Sequence, residues 1–315
     1  MKQKLSIIFL AMILAILAAC GKDAATSSEP KEAADKPIEV TVKHELGEAK
    51  VKVNPKKVVV FDFGILDTLD KLGVEVAGVP QKNIPEYLSK YKDSKYTNVG
   101  GLKEPDFEAI SELAPDVIFI SGRQSASYEE FSKIAPTVYV AVDSTNYVES
   151  FKNNMNIVGD IFDKKQEVTE ELAKIDESIA SINEKAKTLD GKSLVVLVND
   201  GSLSAYGSKS RFGIIHDVFG LAAADENIEA STHGQSVSFE YVAEKNPQYL
   251  FVVDRGAAVG GKSSAEKVLD NKLVNGTDAA KNDHIIYLDP NYWYLSGGGL
   301  ISTAEMIKEV QAGIQ

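Results

Sequence analysis

The sequence predicts an α/β fold of two lobes joined by one long α-helix. Apolar, strand-like runs alternate with helical segments on both sides of the centre of the chain, one stretch occurs twice, and a long amphipathic helix separates the two copies. Strands that alternate with helices are typical of a mostly parallel sheet covered by helices. Each lobe is therefore expected to be Rossmann-like.

The repeated stretch runs from Asp106 to Arg123 and again, at a constant offset, from Ser238 to Arg255. The two copies are identical at Phe107/Phe239, Glu108/Glu240, Glu112/Glu244, Pro115/Pro247, Phe119/Phe251 and Arg123/Arg255. Each copy predicts a short helix, a proline that ends it, a buried parallel strand, and an arginine at the carboxyl end of that strand. Ligands bind at this edge of open α/β sheets. The repeat therefore predicts a cleft for an anion, and the alternative is chance similarity between two ordinary αβ units.

Residues 1–19 have the pattern of a signal peptide. Lys2 and Lys4 precede an apolar run, Leu5–Leu17, that is too short and wrongly flanked for a transmembrane helix. The ending Leu-Ala-Ala-Cys resembles a bacterial lipobox, which implies cleavage before Cys20 and acylation of its thiol. The alternative is a plain secretory peptide followed by an incidental cysteine. Because Cys20 is the only cysteine, the exported protein relies on its core and not on disulfides.

Residues 20–37 are small, polar and charged, and they predict a flexible tether. Beyond it we expect an N-terminal lobe over 38–160, a linker helix over 161–190 and a C-terminal lobe over 191–315. The net charge of −12 argues against nucleic acid as a partner and against a basic membrane-binding face. An anionic ligand therefore needs local, well-placed cations.

Both lobes contain β-rich apolar runs and amphipathic segments of helical spacing. The N-terminal lobe is predicted to have the strands Val58–Phe61, Val76–Val79 and Thr137–Val142, and a helix, Leu66–Leu72, that ends at Gly73. The C-terminal lobe is predicted to have the strands Leu194–Val198, Leu203–Tyr206 and Ile285–Leu288, and the helices Ile214–Gly220 and Leu300–Ile314.

Asp163 is predicted to begin the linker helix, with Gln166 as its capping-box partner. Apolar residues then recur at alternating spacings of four and three as far as Leu189, so one stripe packs and Glu and Lys cover the rest. About 27 residues at 1.5 Å per residue give a helix of roughly 40 Å. A coiled-coil partner is the alternative for such a stripe. The central position favours a rigid strut that limits lobe closure to small hinge motions.

Arginine is used sparingly. Of the 34 Lys and Arg, only Arg123, Arg211 and Arg255 are arginine, and each follows a strand-like run. A planar, permanently charged, bidentate donor suits the binding of an anion. The alternative for each is a salt bridge within its lobe.

His233 lies in the polar loop Ser231–Ser236, which leads into the second repeat copy and could face the cleft. The four histidines form no HExxH motif or close pair, which argues against a dedicated zinc site. A hydrogen-bonded loop histidine is the alternative for His233.

The segment Asn291–Gly299 contains Tyr292, Trp293 and Tyr294 followed by three glycines and a helix. These aromatic rings could stack on a flat ligand while the start of the helix attracts its negative charge. A core plug with a flexible turn is the alternative.

Residues 256–263 (GAAVGGKS) fit the P-loop pattern GxxxxGKS between a strand and a helix, which indicates a nucleotide-binding enzyme. Export of the chain argues against this reading, as does the first repeat copy, whose corresponding loop lacks the glycines and the lysine. No GxSxG nucleophile elbow occurs. A binding protein therefore fits better than a hydrolase or an ATPase.

Several of these features together resemble the iron-siderophore-binding lipoproteins of ABC importers, in their catecholate branch. The resemblance covers the mature chain and rests on the lipobox, PDVIFIS and PQYLFVV, the central helix, GSKSRFG, THGQS and YWYLSGGG. It implies a helical-backbone periplasmic binding protein fold with no permanent cofactor and no catalysis. It also implies a monomer that is lipid-anchored to the outer face of the cell membrane, as in Gram-positive bacteria. This monomer would deliver a ferric siderophore to an ABC permease and its ATPase.

The resemblance also implies roles for individual residues. Arg123, Arg211 and Arg255 would form a cationic triad against catecholate oxygens, and His233 and Tyr294 would complete the iron shell when a siderophore supplies only four donors. Trp293 would contact the ligand, and Glu108 and Glu240 would dock onto the permease. The resemblance is greatest to petrobactin-type binders, whose ligand joins two catecholates through citrate. Binders of other bis-catecholates are not separated from these by sequence, and haem, cobalamin and hydroxamate siderophores are the alternative ligands.

Overall fold

Two five-stranded sheets organise residues 38–315, which are the residues that the computed structural model describes. The predicted signal peptide and tether, including Cys20, lie outside these residues. None of the helices described between Ile38 and Gln315 is long and apolar enough to cross a lipid bilayer.

The first half of the described chain contains nine strands: β1 (Glu39–His44), β2 (Gly47–Lys52), β3 (Val58–Val60), β4 (Gly78–Val79), β5 (Thr97–Asn98), β6 (Gly100–Gly101), β7 (Glu104–Pro105), β8 (Val117–Ile120) and β9 (Thr137–Tyr139). Five of them form the first sheet, which has the order β5-β4-β3-β8-β9 and is parallel throughout. The helices are α1 (Phe63–Lys71), α2 (Phe107–Leu113), α3 (Tyr128–Ile134) and α4 (Tyr147–Phe162), with 3₁₀ turns at Glu86–Lys92, Gly122–Ser127 and Ser144–Asn146.

The strands of the second sheet are β10 (Ser193–Asn199), β11 (Ser202–Tyr206), β12 (Gln235–Val237), β13 (Tyr249–Asp254) and β14 (Ile285–Leu288). This sheet is mixed, with the order β12-β11-β10-β13-β14. β10, β13 and β14 are parallel, whereas β11 and β12 pair antiparallel. The helices are α5 (Lys165–Ala186), α6 (Ile214–Asp217), α7 (Phe239–Lys245), α8 (Arg255–Val259), α9 (Ala265–Leu269), α10 (Lys272–Asn275), α11 (Asp278–Lys281) and α12 (Leu300–Gly313), with a π-helical turn at Asn291–Ser296.

The two copies of the repeat have the same local structure, as predicted. Asp106 caps α2 and Ser238 caps α7 through a side-chain oxygen that accepts a hydrogen bond from a backbone amide of the first turn. Both helices end at a residue in the left-handed conformation, Ala114 (φ 49°) and Asn246 (φ 39°), and a proline and a buried strand follow. The helix, the proline and the strand that lead to each arginine are thus built in the same way in both lobes.

The helix between the sheets differs from its prediction. Asp163 does not begin it: this residue has φ 53° and caps the C-terminus of α4, and α5 starts two residues later at Lys165. The predicted capping box is therefore wrong, and the Gln166 amide donates to Glu170 instead. The long helix α4 occupies the chain up to Phe162, which leaves α5 with 22 residues. Val168, Leu172, Ile175 and Ile182 of α5 are buried, so the predicted apolar stripe does pack.

Asp67 in α1 connects the first lobe to the end of the chain. Its buried carboxylate accepts hydrogen bonds from the amides of Ile301 (3.1 Å) and Ser302 (3.0 Å) at the start of α12, and from the Tyr87 hydroxyl (3.0 Å). Burial raises the pKa of Asp67 to about 7, although these hydrogen bonds oppose the increase. The first turn of α12 is therefore fixed to the N-terminal lobe.

We expect Asp67→Ala to lower the free energy of unfolding by about 3 kcal/mol, because three donors lose their acceptor at once and each unsatisfied donor costs about 1–3 kcal/mol. Urea denaturation followed by the fluorescence of the only tryptophan, Trp293, measures this change. Glu149→Ala, which removes an exposed carboxylate from the first turn of α4, is the control and should change stability by less than about 0.5 kcal/mol. Equal effects of the two substitutions would contradict the role of Asp67.

Candidate functional site

A cleft with a volume of about 800 Å³ lies at the carboxyl ends of the parallel strands, between elements of both lobes. The N-terminal lobe contributes polar and aromatic side chains, and the C-terminal lobe contributes loops and the π-helical turn. The residues that line the cleft are Asp62, Lys103, Ser121, Gly122, Arg123, Tyr139, Ala141, Val142, Ser144, Tyr147, Arg211, Phe212, Thr232, His233, Trp293, Tyr294, Leu295, Gly297 and Met306.

Each of the three arginines is positioned by a different local structure. Arg123 follows β8 in the 3₁₀ turn Gly122–Ser127. Arg255 is the first residue of α8, directly after β13, where the Asp254 side chain caps the helix. Arg211 lies in the turn between β11 and α6. All three side chains come together in the structure: Arg123 and Arg211 line the cleft, whereas Arg255 does not line it and contacts the lining residue Tyr294.

They meet at Tyr294. Its backbone carbonyl accepts hydrogen bonds from Nη2 of Arg123 (2.8 Å) and Nη2 of Arg211 (2.6 Å), which belong to different lobes. Its hydroxyl accepts a hydrogen bond from Nε of Arg255 (2.9 Å). The Arg211 guanidinium also lies 4.3 Å from the centre of the Tyr294 ring, a cation–π contact. One residue of the π-helical turn thus arranges three cations.

The three arginines form no ion pair with a carboxylate of the described chain. Within residues 38–315, every ion pair of the structure uses a lysine and none uses an arginine. The one carboxylate that lines the cleft, Asp62, caps α1 and accepts a hydrogen bond from the Ile65 amide (2.9 Å). Burial raises the pKa of Asp62, although this hydrogen bond and the charge of Arg123 oppose the increase. A local excess of positive charge therefore exists in a chain whose net charge is −12.

The pKa values of two groups reflect this excess. Burial lowers the pKa of Arg211 most, and the charge of Arg123 lowers it further. Arg211 still stays protonated, because arginine is not deprotonated in proteins. Burial alone raises the pKa of the Tyr294 phenol, but the hydrogen bond from Arg255 and the charges of the three arginines outweigh burial and lower it. A phenol with a lowered pKa forms the anionic phenolate more readily, which is the form that binds hard metal ions.

His233 is exposed in the loop before β12 and lines the cleft. Trp293 also borders the cleft, but it is only 2% exposed and its Nε1 donates to Oε2 of Glu309 at 2.8 Å. Its ring packs edge-on against Phe212, with 6.3 Å between the ring centres. Most of the Trp293 ring is therefore part of the packing beneath the cleft, and only a small part of its surface remains for a ligand.

The amides at the start of α12 are not free to attract an anion, contrary to the prediction from the glycine run. Its first amides donate to Thr68 and Asp67 of α1, so the positive end of the helix dipole is already occupied by a buried carboxylate. A ligand anion cannot use this helix terminus.

The GxxxxGKS sequence does not form a P-loop. The amides of Gly260 and Gly261 donate to the carbonyl of Gly256 at 2.9 and 2.7 Å, and the amide of Lys262 donates to Oδ1 of Asp200 at 2.7 Å. The helix α8 ends at Val259, before the lysine that should begin the helix of a P-loop. No cradle of free amides is available for a phosphate in this part of the described chain.

Glu108 and Glu240 are both exposed and hold equivalent positions, each being the second residue of its helix, α2 or α7. Neither residue is among those that line the cleft. The repeat therefore gives each lobe one acidic and one cationic feature.

Several polar residues of the site were not predicted, and two of them are cationic or contact an arginine. Lys103 lines the cleft from the turn between β6 and β7, and as one lysine among many it carries no sequence signal. Asn199, the last residue of β10, accepts a hydrogen bond from Nη1 of Arg255 at 2.7 Å. Its position before the Asp200-Gly201 turn could have marked it as a strand-end residue next to the second repeat.

Comparison with known proteins decides the family. The sequence pattern of the periplasmic binding protein family matches residues 58–292. The chain belongs to this family. It is therefore the substrate-binding protein of a transporter and not an enzyme, and it binds its substrate outside the cytoplasm. The family membership and the two-lobed α/β fold predicted from the motifs are confirmed.

Several relatives are similar over nearly their whole length. The chain is 55% identical to the petrobactin-binding protein YclQ of Bacillus subtilis (strain 168), over 99% of each chain. The crystal structure of YclQ matches with a TM-score of 0.87 and 58% identity, covering 88% of this chain and 99% of that one. The periplasmic catecholate-siderophore binding protein VctP of Vibrio cholerae matches with a TM-score of 0.83 and 37% identity, covering 87% of this chain and all of that one (100%).

Proposed function

We propose that this protein captures a ferric catecholate siderophore in the cleft and delivers it to an ABC permease for iron uptake. The observation that carries the proposal is the convergence of three arginines from both lobes on Tyr294 without a carboxylate partner. A ferric tris-catecholate carries about three negative charges, which three guanidinium groups balance through charge-assisted hydrogen bonds. In a partly desolvated cleft these interactions are stronger than in water.

Petrobactin is the ligand that the similarity to YclQ favours. It joins two catecholates through citrate, so that catecholate and carboxylate oxygens both need cations. Lys103 and Arg123 line the cleft from the N-terminal lobe and Arg211 lines it from the C-terminal lobe, while Arg255 reaches it through its hydrogen bond to Tyr294, so cations lie on both sides of such a ligand. The siderophore is a transported ligand and not a permanent cofactor.

A fluorescence-quench titration against a panel of ligands tests the proposal. The panel contains ferric petrobactin, a tetradentate ferric bis-catecholate, a ferric hydroxamate, haem and cobalamin. We expect strong quenching of Trp293, which borders the cleft, by the two catecholates and weak or no quenching by the others. Tighter binding of the hydroxamate, haem or cobalamin than of either catecholate would contradict the proposal.

We also propose that His233 and Tyr294 bind iron directly when the siderophore leaves two coordination positions open. Ferric iron is a hard cation that prefers anionic oxygen, so the phenolate of Tyr294 is a suitable ligand and an imidazole an acceptable second one. The lowered pKa of Tyr294 supports this role. With a hexadentate siderophore both residues serve as contacts only.

We expect Tyr294→Phe and His233→Ala to shift the ligand-to-metal charge-transfer band of a tetradentate ferric bis-catecholate bound to the protein, because each removes a donor atom from the iron. Visible absorption spectra at saturating protein measure the shift. A hexadentate tris-catecholate is the control, since its spectrum should be the same with all three proteins. An unchanged band with the tetradentate ligand would rule out direct ligation.

The N-terminal segment has the pattern of a lipoprotein signal peptide followed by a tether. We propose that residues 1–19 are removed, that Cys20 is acylated, and that residues 20–37 tether a monomer to the outer face of the cell membrane. The lobes would then comprise residues 38–160 and 191–315.

We further propose that the exposed, equivalent carboxylates of Glu108 and Glu240 dock onto basic residues of the permease, one on each lobe.

A further inference from the structure

Every protein atom that holds an arginine side chain at the cleft is an uncharged oxygen. Tyr294 supplies its carbonyl and its hydroxyl, and Asn199 supplies Oδ1. A carboxylate would bind a guanidinium more strongly than these groups, but it would also cancel its charge. Neutral acceptors fix the position of the cation and leave its charge available for the ligand.

Asn199 is placed beside Arg255 by the sheet. β10 and β13 pair in parallel with Val198 opposite Asp254, so Asn199 and Arg255 are the next residues along the two strands. On its other side β10 continues into β11 through a two-residue turn, with Asn199 opposite Ser202. The strands on both sides fix the backbone at Asn199, and its side chain is half-buried. The side-chain amide of Asn199 therefore has a defined position.

Two hydrogen bonds fix the plane of the Arg255 guanidinium. Nε donates to the Tyr294 hydroxyl at 2.9 Å, and Nη1 donates to Oδ1 of Asn199 at 2.7 Å. Neither bond uses Nη2, so the two N–H donors of this nitrogen have no acceptor within residues 38–315.

The acidic residues next to Arg255 and Asn199 in the sequence are bonded elsewhere. Oδ1 of Asp254 accepts from the amide of Ala257 and its Oδ2 from the amide of Ala265, at 3.0 and 2.7 Å. Oδ1 of Asp200 accepts from the amide of Lys262 at 2.7 Å. Within residues 38–315 neither carboxylate forms an ion pair with Arg255.

We propose that Asn199 is the positioning residue of Arg255, and that its lack of charge makes the cleft selective for highly charged anionic ligands. Aspartate at this position is nearly isosteric and would keep the hydrogen bond, but its carboxylate would neutralise Arg255. The proposal has two parts. The positioning part concerns the protein alone, whereas the selectivity part rests on the proposed binding of a ferric catecholate.

The positioning part can be tested without a ligand, because the chain contains only three arginines. Protein labelled with ¹⁵N-arginine gives three Nε–Hε signals, and Arg255→Lys identifies the one from Arg255. We expect Asn199→Ala to increase the rotation of the Arg255 guanidinium and the exchange of its protons with water, while the other two signals keep their exchange rates. Asn199→Asp should keep the slow exchange. An Arg255 signal that exchanges equally in wild type and Asn199→Ala would overturn the positioning role.

The selectivity part is tested by titrating ferric petrobactin at two salt concentrations. Asn199→Ala is expected to weaken binding about threefold, the effect of one lost hydrogen bond, with the salt dependence of the wild type. Asn199→Asp is expected to weaken it on the order of thirtyfold, as Arg255→Ala does, and to reduce the salt dependence, since one cation is neutralised in both. Asn153→Asp, which adds the same charge to the exposed side of α4, is the matched control and should bind like the wild type.

The outcomes separate the two proposals. If Asn199→Asp binds as tightly as Asn199→Ala, with the wild-type salt dependence, the selectivity role of Asn199 is wrong. If the wild type binds no ferric catecholate but the arginine signals behave as expected, the proposed function and the selectivity part both fail and the positioning role stands.

Discussion

Replacing Arg123 and Arg211 together by alanine is expected to weaken the binding of a ferric catecholate by about 3–6 kcal/mol, or two to four orders of magnitude. Each guanidinium makes charge-assisted hydrogen bonds to the ligand, and a hydrogen bond to a charged group contributes about 1.5–3 kcal/mol. The two residues come from different lobes, so the double variant removes a cation from each side of the cleft. Fluorescence-quench titration of the two single variants and the double variant measures the effect.

The effects of the two single variants should add up to less than the effect of the double variant, because the remaining arginine compensates in each single variant. Arg123 and Arg211 donate to the same carbonyl of Tyr294, and the charge of Arg123 lowers the pKa of Arg211, so removing one relieves repulsion on the other. Lys174→Ala with Lys187→Ala removes two exposed positive charges from α5 and the residue after it, and is the control for net charge. If this control weakens binding as much as the arginine pair, a general charge effect and not a cationic site holds the ligand.

The arginine site can be predicted from sequence because its signal is local and repeated. Arg123 and Arg255 each follow a proline and an apolar strand, and the carboxyl ends of parallel strands meet at one edge of a sheet. Arg211 follows the strand β11 and stands out because arginine is otherwise avoided. How these side chains are held cannot be predicted in the same way, because the carbonyl of Tyr294 is a backbone atom of a distant, irregular turn.

Contacts between distant parts of the chain explain the failures. Glycines before a helix suggest a free N-terminus, but Asp67, 235 residues before Ser302, occupies it. Asp163 has the right residue type for an N-cap, yet α4 reaches Phe162 and forces Asp163 into a left-handed C-cap. The GxxxxGKS pattern fails because its function depends on where the helix begins, and here a helix ends at Val259. Each pattern is ambiguous until the neighbouring element is known.

Replacing Glu108 and Glu240 together by alanine is expected to abolish uptake of the ferric siderophore while leaving its binding unchanged. Both carboxylates are exposed at equivalent positions of the two repeat copies, in the first turns of α2 and α7, and neither lines the cleft. A permease that contacts both lobes would meet one of these carboxylates on each, and complementary charges govern docking and orientation more than they change the fold. Uptake of radiolabelled iron in cells, together with a quench titration of the purified variant, separates transport from binding.

Glu129→Ala with Glu266→Ala is a matched control for this pair. These residues are also exposed glutamates in the first turn of a helix, one in each lobe, so their removal costs the same favourable interaction with a helix dipole. We expect the control to transport normally and the single variants Glu108→Ala and Glu240→Ala to lose uptake partially, since each leaves one lobe able to dock. Normal uptake by the Glu108/Glu240 double variant would refute the docking role. Equal loss in the control would show that uptake depends on the acidity of the surface as a whole and not on these two positions.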